Sequence, residues 1–195
     1  MDDNKLSFDE KKEFIYKALD DATNTLRFID TKVAAIFVVI GIYFTILSSL
    51  SDKIYQIYKL YSGVPFQSVI IGVITCITVV AAAISVYYGF RTLHAKHNPM
   101  NYVSLEGEGC KELWYLVNGN DGKITISLRS YQNDINSITE EEFLKIITLE
   151  LMKVSGIRNI KILNSNKSMK FLGISLYSFT ILISYIMYFF SVYKF

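Results

Sequence analysis

Few residues of this chain have the types and spacing that chemistry requires. His94 and His97 stand three apart, but neither a Cys nor an acidic ligand lies beside them to complete a four-coordinate metal set. Glu140-Glu141-Glu142 follows Thr139 and reads as the acidic first turn of a helix, where carboxylates complement the N-terminal dipole. Glu106-Gly107-Glu108-Gly109 has the composition of a loop. The sequence holds no glycine-rich phosphate loop, no Cys pair at metal spacing and no nucleophile set beside an activating base. Cys76 falls in an apolar run and Cys110 in a polar one, which predicts reduced thiols rather than a disulfide. The expectation is a non-enzymatic chain without a metal or resident cofactor.

Asp30 and Lys32 are of greater interest, within Arg27-Phe28-Ile29-Asp30-Thr31-Lys32-Val33-Ala34-Ala35. They occupy the last polar turn before an uncharged run from Val33 to Leu50, and no Gly or Pro separates them from it. A continuous helix is expected, so that movement on the charged side reaches the apolar side. Two residues apart, Asp30 and Lys32 point in different directions around the helix and cannot pair well with each other. Asp30 therefore needs a partner such as Arg158 or Lys161, a neighbouring subunit, or the headgroups. The competing reading makes Lys32 a residue that snorkels to the headgroups and Asp30 the last solvated residue of the helix.

The elements that position this pair are mostly apolar. The chain is 51% hydrophobic over 195 residues, and spans free of Asp, Glu, Lys, Arg and His are expected at 33–50, 67–90 and 171–193. Eighteen helical residues at 1.5 Å each cover roughly 27 Å, close to the hydrocarbon thickness of a bilayer. The predicted fold is a mainly α membrane protein with three transmembrane helices, two long cytosolic helices (1–32 and 139–169) and a small β-hairpin in a cytosolic insert at 91–138. Spans without ionisable groups other than Tyr and Cys argue against a proton-coupled pump. A net charge of +2 gives no general reason to bind DNA or RNA.

Local signals mark the element ends. Ser7-Phe8-Asp9-Glu10 and Thr139-Glu140-Glu141-Glu142 are capping boxes. Behind the first, Phe8, Ile15, Leu19, Ala22, Leu26, Ile29 and Val33 form a seam with steps of three, four or seven, broken only by Lys12. Such a seam packs on a partner helix, either within the subunit or between subunits. Behind the second, Phe143, Ile147, Leu151, Val154, Ile157 and Ile160 share a face. Gly41, Thr45 and Ser49, and likewise Ala81, Ser85 and Gly89, place small residues every fourth position, which permits close helix contacts in one subunit or between copies. Tyr55, Tyr58 and Tyr61 suit a polar turn at headgroup level. Asn118-Gly119-Asn120-Asp121-Gly122, between 113–117 and 123–128, reads as a hairpin loop. Lys and Arg number six before the first span, two in the turn after it, eleven from Arg91 to Lys170 and one at the tail. The positive-inside rule then places the N-terminus and the insert in the cytoplasm and the C-terminus outside it.

The arrangement resembles the transmembrane effectors of Pycsar-type bacterial anti-phage systems. The resemblance rests on the junction Phe28-Ile29-Asp30-Thr31-Lys32-Val33-Ala34-Ala35, on the second span and insert, and on Ile157-Arg158-Asn159-Ile160-Lys161 shortly before the last span. Val33 replaces the more usual Ala, and 101–132 matches nothing in that pattern. The resemblance implies a multi-pass protein of the bacterial inner membrane, functionally linked to a nucleotide cyclase. A cyclic nucleotide would trigger this homo-oligomer to form a pore or otherwise disrupt the membrane, causing abortive infection. By proximity in sequence, contacts to that ligand would come from Arg91, Lys96, Trp114, Lys123, Arg129, Arg158 and Lys161, as binding a phosphodiester needs convergent cations and an aromatic face. The alternative is a membrane anchor or scaffold whose cytosolic helices recruit a partner.

Overall fold

The computed structural model describes residues 6–60, 65–94, 103 and 126–193. Among these there are five helices and no strand: α1 (Phe8–Ser49), α2 (Ser51–Leu60), α3 (Pro65–Leu93), α4 (Leu128–Asn136) and α5 (Glu140–Tyr193). Three of them, α1, α3 and α5, are long and apolar enough to cross a membrane, as in a multi-pass membrane protein. The chain divides into two compact units. A charged unit gathers Met1–Arg27 and Lys96–Asn159, and an apolar unit gathers Phe28–Ala95 and Ile160–Phe195.

Both capping boxes form. The Ser7 N–H and hydroxyl donate to Glu10 Oε2 at 2.8 and 2.9 Å, and the Glu10 N–H donates to Ser7 Oγ at 3.3 Å. Thr139 and Glu142 repeat the exchange at 3.0, 3.2 and 3.3 Å. From these starts α1 runs unbroken through Asp30 and Lys32 into its apolar part. Helix α5 likewise joins the expected helix at 139–169 and the span at 171–193 into one element of 54 residues. No helix-breaking residue stands between them, so nothing interrupts the backbone ladder.

In the apolar unit the seam keeps a heptad step. Ile29, Ile36 and Tyr43 are all buried on α1. Ile36 and Tyr43, with Ile40, form one apolar cluster with Ala82 on α3 and Leu172 and Phe179 on α5. A second cluster joins Ile57 of α2, Ile71 of α3 and Leu182, Ile186 and Phe189 of α5. A period of 3.5 keeps each helix's buried line facing its neighbours, which is how packed helices coil.

Two expectations need correction. The polar turn after the first span is largely helix α2, because Ile54 and Ile57 fall on one face behind Ser51-Asp52, and Ile57 packs on α3 and α5. The hairpin falls outside the described residues except at 126–128, and there Leu128 opens a helix instead of ending a strand. The reason is local: Ser127 caps α4, its hydroxyl accepting the Ser130 N–H at 3.2 Å.

Candidate functional site

Where α1 and α5 pass from charged to apolar sequence, Lys161 Nζ donates to both carboxylate oxygens of Asp30, at 2.7 and 2.9 Å. The Lys161 side chain is 16% exposed and that of Asp30 42%. The pair is neither dry nor fully hydrated. Its worth should lie between the roughly 1 kcal/mol or less of an exposed pair and the about 3–5 kcal/mol lost when a buried pair is broken from one side. Both residues belong to the apolar unit, so the contact ties its two incoming helices together at their charged ends.

Beyond the pair, on the side of the spans, the interface of α3 and α5 carries a buried polar seam. Ser85 Oγ donates to the Ser168 carbonyl and Ser168 Oγ to the Ser85 carbonyl, each at 2.8 Å. One heptad further on, Ser175 Oγ donates to the Thr78 carbonyl at 2.9 Å, and Tyr43 Oη reaches the same oxygen at 3.3 Å. Thr78 Oγ1 lies 2.7 Å from the Ile74 carbonyl and 2.8 Å from Ser178 Oγ, which its single proton serves one at a time. Small hydroxyls at these steps let the backbones approach while every one of these donors stays satisfied away from water. Gly89 of α3 faces α1 instead: a Cβ there would stand 2.8 Å from ring carbons of Phe37.

No protein-family model, curated protein or solved structure matches this chain.

The structure brings together only some of the residues singled out from sequence. Asp30 meets Lys161, one of its candidate partners, whereas Lys32 has no bonded partner among the described residues and is half-buried. Of the residues suggested for a cyclic nucleotide, Arg91 and Arg129 are exposed, Arg158 is half-buried with no hydrogen-bond partner for Nε, and Lys161 is committed to Asp30. Lys96, Trp114 and Lys123 lie outside the described residues. The seam residues Ala22 and Ile29 are buried, and Ile15, Leu19 and Leu26 half-buried. The two small-residue ridges part company. Ala81, Ser85 and Gly89 are buried inside the chain, while Gly41, Thr45 and Ser49 face outward.

Sequence reasoning passed over two groups. Glu150 and Lys153 are buried in the charged unit, their charged atoms 3.8 Å apart on adjacent turns of α5. Glu150 lies three residues after Ile147 and four before Val154, so a charge on the apolar face was the available signal. Ser168, Ser175 and Leu182 repeat at heptad spacing with Lys161, and that repeat was the signal for the polar seam.

Proposed function

We propose that this chain is a non-enzymatic membrane effector of bacterial anti-phage defence, regulated through its charged unit. A cyclic nucleotide made on infection would be the trigger, and disruption of the inner membrane by several copies of the chain would be the output. The observation that carries the reading is the Asp30–Lys161 pair, which fastens α1 to α5 at the point where both enter their apolar parts. Helices fastened there and continuous on either side can hand a change in the charged unit to the spans. The conducting or disruptive path lies between copies rather than within one, since the hydroxyls along the α3–α5 seam are spent on each other and on carbonyls. The outward ridge Gly41-Thr45-Ser49 is the contact face assigned to a second copy. In this reading the N-terminus and the insert are cytoplasmic and the C-terminus lies outside.

A second reading is favoured by the same satisfied seam: a static anchor or scaffold that holds a recruited partner at the membrane. Expression with and without a nucleotide cyclase separates the two. Membrane potential and dye entry should change only when the cyclase is active. An intact membrane in every condition would replace the effector with the scaffold.

A further inference from the structure

The charged unit contains a groove of about 430 Å³ between the starts of α1 and α5 and the helix α4, within the roughly 300–1,000 Å³ range of small-molecule sites. Phe8 and Phe143 form its wall, with ring centroids 6.4 Å apart and planes tilted by 54°. Tyr131 and Ile135 line it from α4. That helix has no buried residue, and Ile135 is 46% exposed, so an amphipathic helix stands beside the groove without filling it. Two opposite charges, Lys12 and Glu140, also line the space. The Lys12 ammonium stands 5.8 Å from the centre of the Phe143 ring. Among the described residues it bonds no acceptor, and it does not pair with Glu140. A half-buried ammonium on a π face keeps three N–H donors free for a ligand. This also accounts for a lysine on an otherwise apolar seam.

We propose that this groove binds a small planar heteroaromatic anion. Its ring would lie against the aromatic wall, its acidic group on Lys12 and its ring N–H or amino donors toward Glu140. An aliphatic zwitterion would meet both charges but leave the aromatic wall unused, a simple anion would meet Glu140, and a simple cation would meet Lys12. Only a molecule carrying both halves uses every group present. The inference deepens the effector reading by giving the place where its trigger would act, and to that extent rests on it.

The test uses the full chain in lipid nanodiscs and four probes: adenosine 5′-monophosphate, adenosine, ribose 5-phosphate and inorganic phosphate. Binding is followed by calorimetry and by saturation-transfer NMR of the adenine protons. The monophosphate should bind saturably and about tenfold or more tighter than adenosine or ribose 5-phosphate, the factor expected of one added charge-assisted hydrogen bond or of the stacked ring. Lys12→Gln, with unchanged circular dichroism, should erase the advantage over adenosine, and Phe143→Leu should weaken both ring-bearing probes. Equal binding of the monophosphate and ribose 5-phosphate, binding unaffected by Lys12→Gln, or no saturable binding would each overturn the site. The two readings fail separately. Monophosphate binding without cyclase-dependent depolarisation sinks the effector but keeps the groove, whereas depolarisation unchanged by Lys12→Gln sinks the groove as trigger site.

Discussion

Asp30 sits where a carboxylate is costly to bury and useful to pair, and Lys161 supplies two short hydrogen bonds to it. Asp30→Ala or Lys161→Ala should each cost on the order of 1–3 kcal/mol, because partial exposure lets water replace part of what is lost. Exchanging the two, Asp30→Lys with Lys161→Asp, should recover stability and effector activity that either single exchange abolishes. Thermal melts in nanodiscs and toxicity in cells report this, and toxicity retained in Asp30→Ala would reduce the pair to a solvated helix end. Lys32→Ala is also expected to abolish activity without preventing insertion. At the start of α1, the backbone N–H of Ser7 and then its hydroxyl hold the Glu10 carboxyl below the ordinary glutamate range. A depressed folded value means that the cap's stabilisation is full above the unfolded value and fades as pH falls through the folded one. The Ser7 amide resonance should therefore titrate with a midpoint below that of an unstructured glutamate, and Glu10→Gln should remove the transition. A midpoint equal to that of the unstructured peptide would mean the box does not hold in solution.

At the scale of the helix, two glycines of similar sequence context behave differently. A Cβ at Gly89 would meet the Phe37 ring at 2.8 Å, whereas at Gly41 nothing lies within 4 Å. Gly89→Ala must displace a half-buried ring that also touches Phe90, and should destabilise the chain by about 1–3 kcal/mol. Gly41→Leu should leave the fold of a single chain unchanged and weaken only the association of copies. Crosslinking in native membranes reads the second effect, and undiminished assembly of Gly41→Leu would move the contact between copies elsewhere. Two glycines inserted after Asp30 should break the continuity of α1, leaving insertion intact and activity lost.

For the molecule as a whole, topology is the prediction with most consequence. In a variant lacking Cys76 and Cys110, a cysteine at exposed Gln56 should label from outside intact cells, and one at Asn118 should not. The opposite pattern would invert the chain and place the groove at Lys12 beyond reach of a cytoplasmic ligand.

The sequence by itself determined the three apolar helices, both capping boxes, the continuity of α1 and the need of Asp30 for a partner. Each of these depends on residues within a turn or two of one another, or on a run of composition that only a bilayer accommodates. Tertiary structure decided what local pattern leaves open. It chose Lys161 over Arg158, put Ala81, Ser85 and Gly89 inside and Gly41, Thr45 and Ser49 outside, and covered Glu150 and Lys153 on a face read as apolar. Identical small-residue spacing cannot say which ridge meets a neighbour, because spacing fixes a helix face but not what stands opposite it. The turn after the first span was misread for the same reason: Ile54 and Ile57 gain their helix from burial against α3 and α5, a contact that propensity within ten residues does not carry.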